Sequence, residues 1–136
     1  MFKNLIVYYP VMTDNRKKLL FVCNYNMSRS PTAEAIFNYN ESYNKKYIAR
    51  SAGLYEGDIY GKMIDGRTPK LLREEMLLWA EVIFVFEEQH ITEIGRKFPK
   101  YRPKNIISLN IPDKYYYMDV KLVELIKKRT KPHLEL

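Results

Sequence analysis

Short apolar runs alternate along most of this chain with segments whose apolar residues recur at helical spacing. Four runs rich in β-branched and aromatic residues predict strands, at residues 19–23, 47–52, 82–86 and 105–109. Four helices are predicted from apolar periodicity, at residues 31–39, from Thr68-Pro69 through Met76, 87–97 and 119–128. This alternating order predicts an α/β domain of three layers, with a four-stranded parallel sheet between two layers of helices.

The first sixteen residues fall outside that pattern. We interpret residues 1–16 as an N-terminal extension and residues 17–136 as the domain, and residues 5–9 could add an edge strand. Ligands of open parallel sheets bind at the carboxyl ends of the strands. Cys23, Ser51 and Glu87 fall at such ends, so we expect them to converge on one face.

The segment between the first strand and the first helix carries the chemistry. The sole cysteine, Cys23, ends an apolar run; Arg29 follows six positions later, and Ser30-Pro31 opens a helix. A loop leading into a helix N-terminus turns backbone N–H groups toward an anion and favours a thiolate over a thiol. An arginine fork can bind two phosphate oxygens at once. We therefore predict a phosphate-binding loop that includes Asn24, Tyr25, Asn26, Met27, Ser28 and Ser30.

Composition narrows the classes of function. The chain has 136 residues, a net charge of +7 and 46% hydrophobic residues, as expected for one globular domain. No apolar stretch approaches the roughly 20 residues that span a bilayer, so no membrane partner is expected. A single cysteine and no signal-peptide pattern favour the cytoplasm. Basic residues are scattered in small clusters, so nucleic-acid binding is possible but not favoured. Neither histidine has metal-ligand spacing, and no metal is expected.

Four segments together resemble the low-molecular-weight protein tyrosine phosphatase family. They are Phe21-Val22-Cys23 with Arg29-Ser30-Pro31-Thr32-Ala33-Glu34, then Arg50-Ser51-Ala52-Gly53, Gly61 to Arg67, and Ile111-Pro112-Asp113-Lys114-Tyr115-Tyr116. The run from Trp79 to Val85, with His90 after it, is similar to a compact bacterial branch of that family.

The resemblance implies a role for each matched residue. Cys23 would attack phosphorus and form a phosphocysteine, while Arg29 and the loop N–H groups hold the phosphate oxygens. Asp113 would be the general acid, with Asp119 as the alternative. Ser30 would hydrogen-bond to the sulfur, and Asn26 with Ser51 would brace the loop. Tyr115 and Tyr116 would form a wall of the substrate pocket.

The implied reaction is hydrolysis of a phosphotyrosine protein or a small phosphomonoester, releasing inorganic phosphate without a cofactor. The sequence departs from the family pattern at three positions: Tyr25 replaces a glycine, Ser28 a second cysteine and Lys114 a proline. Two other functions stay open on these residues. One is arsenate reduction with an external thiol, because no further cysteine is present for an internal relay. The other is a non-catalytic module that binds phosphate, phosphoprotein or nucleic acid.

Overall fold

The structure, a computed structural model, describes residues 14–101 and 105–134. The strands are β1 (Lys17–Cys23), β2 (Tyr47–Gly53), β3 (Val82–Val85) and β4 (Ile106–Ser108). The helices are α1 (Arg29–Tyr39), α2 (Glu74–Trp79), α3 (Glu88–Lys97) and α4 (Val120–Thr130), followed by a 3₁₀ turn, Lys131–His133. The edge strand suggested at 5–9 lies outside the described residues.

The four strands form one parallel sheet in the order β2-β1-β3-β4. The register pairs Cys23 with Gly53 and Val22 with Val85. The carboxyl ends of the three strands that carry these residues therefore lie side by side. The predicted α/β architecture with a four-stranded parallel sheet is confirmed.

Alternate residues of the buried strands pack on opposite faces of the sheet, as the period of two requires. On one face Phe21 stacks on Phe37 of α1 and on Phe84, with ring centroids 5.4 and 5.2 Å apart. This cluster also contains Leu122 and Ile126 of α4. The opposite cluster joins β1 and β3 to α2 and α3, through Leu20, Val22, Ile83, Met76, Leu77 and Ile94. The continuous apolar runs of β1 and β3 therefore reflect a sheet covered on both sides.

The helix predicted from Thr68 begins later than expected. Residues 68–73 are not helical, and α2 starts only at Glu74. Gly53 N donates to Lys70 O at 2.8 Å, and Leu72 N donates to Gly53 O at 2.8 Å. Backbone pairing with the end of β2 thus holds this segment extended, and the prediction of a helix start at Thr68-Pro69 was wrong. Within the described part of the chain, no helix combines the length and apolarity needed to cross a membrane.

Candidate active site

The loop from Cys23 to Ser30 passes directly over the last residue of β2. A Cβ atom at Gly53 would lie 2.7 Å from the carbonyl carbon of Tyr25 and 2.8 Å from Asn26 N. Such distances are shorter than real side chains allow, so only glycine lets the two backbones approach this closely. Gly53 therefore fixes where the loop lies.

Asn26 holds the loop together from its centre. Its backbone is in the left-handed region at φ 58°, which asparagine tolerates better than most residues. The buried side chain donates from Nδ2 to Ser30 Oγ and to Ser51 Oγ, each at 2.9 Å. Arg67 donates from Nη1 to Asn26 O at 2.9 Å and also contacts Asn26 Oδ1, which Lys70 N reaches at 2.9 Å. The structure thus brings Asn26, Ser30 and Ser51 together, and adds Arg67 to them.

Cys23 is buried at the start of the loop, with Sγ 3.0 Å from Ser30 Oγ. Ser30 Oγ accepts from Asn26 and has one hydrogen to donate, for which the sulfur at 3.0 Å is a nearer acceptor than Ala52 O at 3.4 Å. A hydroxyl that donates to sulfur stabilises the thiolate over the thiol. This contact gives Ser30 the position that its predicted role requires.

Arg29 lies beneath the loop with only 1% of its surface exposed. Its Nη1 donates to Glu87 Oε2 at 2.7 Å and to Ile111 O at 2.8 Å. Nε and Nη2 are buried and have no hydrogen-bond partner among the described residues. Leaving such donors unpaired costs free energy, and a planar fork of two N–H groups fits two oxygens of a phosphate. The bonds of Nη1 therefore orient the guanidinium, and its Nε–Nη2 edge is free to bind an oxyanion.

His90 is buried beside the other end of the loop. Its Nδ1 accepts from Phe86 N at 3.3 Å and from Glu87 N at 3.2 Å, and its Nε2 lies 2.9 Å from Asn24 Oδ1. Burial, helped by the charge of Arg29, lowers the pKa of His90 to about 4. The imidazole is therefore neutral near pH 7. Sequence reasoning assigned His90 no role; the signal was its position three residues after Glu87, in the first turn of a helix.

A cavity of about 460 Å³ opens above the loop. Cys23, Arg29 and Asp113 line it together with five predicted loop or wall residues, Tyr25, Met27, Ser28, Tyr115 and Tyr116. Asn24 of the predicted loop also lines it, as do Ile64 and Asp65 of the Gly61 to Arg67 segment and Tyr117, to which the sequence assigned no role. The floor is thus a thiol and a guanidinium, and the walls are largely aromatic.

Tyr25 fits at a position where the family carries glycine. The described residues with positive φ do not include Tyr25, so no left-handed backbone is needed there. Its ring packs over Gly57, where an added Cβ would lie 3.1 Å from Tyr25 Cδ1, and against Tyr55 at 6.0 Å between centroids. The side chain therefore adds to the rim of the cavity without disturbing the loop backbone.

The two candidate acids occupy different places. Asp113 Oδ1 lies 3.7 Å from Arg29 Nε at the cavity mouth, and its side chain is half exposed. Asp119 is the N-cap of α4, where its carboxylate accepts from Lys121 N at 2.9 Å. Asn110 and Met118, with φ of 53° and 62°, flank the segment that carries Asp113. Of these two acids, only Asp113 lines the cavity that contains the thiol.

Comparison with known proteins agrees with this site. The family model of low molecular weight phosphotyrosine protein phosphatase matches residues 18–122. Comparison with curated protein sequences gives no significant match. A low molecular weight protein tyrosine phosphatase from Streptococcus pyogenes superposes with a TM-score of 0.69 at 17% identity, covering 87% of this chain and 91% of its own. The tyrosine phosphatase Wzb from Escherichia coli K30, solved with phosphate, gives 0.67 at 20% identity over 87% and 96%.

A buried thiol at a β-loop-α junction, beside an oriented arginine, defines a cysteine-based hydrolase of phosphorylated substrates. The chain belongs to the low molecular weight phosphotyrosine protein phosphatase family. The expected resemblance is thereby confirmed, and the protein is a phosphatase with inorganic phosphate as its product.

Proposed function

We propose that this phosphatase hydrolyses phosphotyrosine through a phosphocysteine intermediate on Cys23. The observation that carries the proposal is the pair of buried donors on Arg29, Nε and Nη2, which make no hydrogen bond to the described residues and lie in the cavity that contains Cys23. Two equatorial oxygens of the phosphoryl group would bind that fork while the sulfur attacks phosphorus. Charge on the oxygens would thus be stabilised where it is greatest in the transition state.

The reaction has two balanced steps. In the first, the Cys23 thiolate forms a bond to phosphorus as the bond to the tyrosine oxygen breaks, and the Asp113 carboxyl gives its proton to that oxygen. In the second, the Asp113 carboxylate takes a proton from water, and the water oxygen bonds to phosphorus as the sulfur–phosphorus bond breaks. This step releases inorganic phosphate and restores the Cys23 thiolate. Turnover needs a free Cys23 thiol, which fits the reducing cytoplasm expected from the sequence.

The aromatic walls support an aryl substrate. Tyr25, Tyr115 and Tyr116 line the cavity above the thiol, where a flat phenyl ring would pack against them. One solved relative, YwlE, is described as an arginine phosphatase and superposes with a TM-score of 0.63 at 24% identity. A phosphoarginine peptide is therefore the sharpest comparison substrate.

The test compares turnover of p-nitrophenyl phosphate and of matched phosphotyrosine, phosphoserine and phosphoarginine peptides. We expect the wild type to prefer the phosphotyrosine peptide, Cys23→Ser to lose more than about 1000-fold in kcat, and Asp113→Asn about 100-fold. Loss in Asp113→Asn should be smaller with p-nitrophenyl phosphate, because p-nitrophenolate leaves more easily without a proton. Absence of turnover in clean wild-type protein would refute the proposal.

A further inference from the structure

The first turn of α3 and the residue before it contact both ends of the phosphate-binding loop. Near the end of the loop, Arg29 is bonded to Glu87. At its start, Asn24 is bonded to His90, one turn further along the same segment. The start of α3 therefore holds both ends of the loop, through Glu87 and His90. Glu87 orients the phosphate-binding Arg29, whereas His90 has no part in the proposed phosphatase mechanism.

The hydrogen bonds fix the tautomer of His90. Two backbone N–H groups, of Phe86 and Glu87, point at Nδ1, so this nitrogen must accept and carries no hydrogen. Nε2 then carries the hydrogen and donates to Asn24. Only the oxygen of the Asn24 amide can accept that bond, so Oδ1 faces His90 and Nδ2 is turned away from it. The orientation of Asn24 thus follows from the backbone around the helix start.

Asn24 is held on a second side as well. Its backbone oxygen accepts from Tyr55 N at 2.9 Å. It also directly follows Cys23 and lines the cavity. A shift of Asn24 would therefore move both the thiol and the first N–H groups of the loop.

From this geometry we infer that His90 is a positioning residue for phosphate binding, and that it acts through Asn24. The inference rests on the proposed function, because it assigns His90 a part in that same site. Loss of the Nε2–Oδ1 bond would let the first turn of the loop relax and would weaken binding of phosphate and of the transition state alike. One such bond is worth about a 3- to 10-fold change in affinity.

Two substitutions separate this role from simple support of the helix. In His90→Asn, the amide oxygen can replace Nδ1 as acceptor at the helix start, but the side chain is too short to reach Asn24. In His90→Gln, the amide nitrogen can replace Nε2 as donor to Asn24, while the acceptor at the helix start is lost. We expect His90→Asn to be the better folded of the two and His90→Gln the better phosphate binder. Ile94→Val, buried in the same helix, is the control for lowered stability alone.

The experiment measures the Kd of inorganic phosphate by calorimetry, together with kcat/KM and the thermal midpoint. His90→Asn should weaken phosphate binding and lower kcat/KM by the same 3- to 10-fold, and His90→Gln should recover most of both. In an Asn24→Ala background, His90→Asn should have no further effect. An unchanged phosphate Kd in His90→Asn, or an equal loss in both backgrounds, would overturn the inference. A wild type that binds phosphate without turnover would refute the proposed function, and the Kd values would still decide the role of His90.

Discussion

Glu87 Oε2 lies 2.7 Å from Arg29 Nη1, so the carboxylate at the end of one strand orients the guanidinium that follows the neighbouring strand. Glu87 keeps about a third of its side chain exposed, whereas Arg29 is buried. The pair therefore orients the guanidinium more than it stabilises the fold, since a carboxylate in contact with water gains less from the attraction. It leaves the Nε–Nη2 edge without a hydrogen bond to the described residues, in the cavity that contains Cys23.

Removing this carboxylate should impair catalysis. We expect Glu87→Ala to lower kcat/KM about 10- to 100-fold, because a hydrogen bond to a charged group is worth about 1.5–3 kcal/mol. Glu87→Gln keeps an acceptor for Nη1 and should lose less. Steady-state kinetics with p-nitrophenyl phosphate should give kcat/KM values that decrease from the wild type to Glu87→Gln and then to Glu87→Ala. Glu88→Ala, the next residue along, is the matched control, and an equal loss in that variant would contradict the assignment.

His90 should make stability depend on pH. Its pKa is about 4 when folded and 6.5 for the free side chain, because burial and Arg29 disfavour the charged imidazole. As the pH falls, the unfolded chain therefore protonates His90 before the folded protein does. The stability that comes from the neutral imidazole is fully present above pH 6.5 and is lost as the pH falls toward 4. Urea unfolding across that range measures the slope. His90→Gln should show a shallower slope than wild type, and parallel slopes would contradict the assignment.

A side chain at Gly53 should displace the loop. Gly53→Ala places a Cβ against the backbone of Tyr25, so we expect a loss of about 1–3 kcal/mol in the free energy of unfolding, with weaker phosphate binding. Gly95→Ala is the matched control, because nothing lies within 4 Å of its Cβ and alanine favours a helix by about 0.5–1 kcal/mol. Denaturant midpoints should therefore move in opposite directions. A Gly53→Ala variant as stable as wild type would disprove the close approach.

The rim tyrosine should act on substrate binding. Tyr25→Ala removes a ring that packs over Gly57, not a group that touches the thiol, so KM for a phosphotyrosine peptide should rise about 3- to 10-fold while kcat changes little. The Ki of inorganic phosphate, which has no ring, should stay near the wild-type value. A large fall in kcat would instead show that the side chain supports the loop.

How well a feature could be predicted from the sequence depends on how far apart in the chain its interacting residues lie. The sheet and the Cys23–Ser30 loop were predictable because a strand, a loop and a helix start are encoded by neighbouring residues. The helix predicted from Thr68 was wrong because its backbone pairs with distant Gly53. The bonds from Arg67 to Asn26 and from His90 to Asn24 join residues 41 and 66 positions apart, so the local sequence around each residue does not show its partner. The cap formed by Asp119, by contrast, is a local signal at a helix start.

The most direct test of the central claim is to identify the covalent intermediate. Rapid mixing with a phosphotyrosine peptide and a quench in denaturant without acid, followed by mass spectrometry of the digested protein, locates any bound phosphoryl group. We predict a phosphoryl group on Cys23, formed in a burst together with one equivalent of free tyrosine product, and loss of this burst in Cys23→Ser. Turnover that persists in Cys23→Ser, or a phosphoryl group on another residue, would contradict the account.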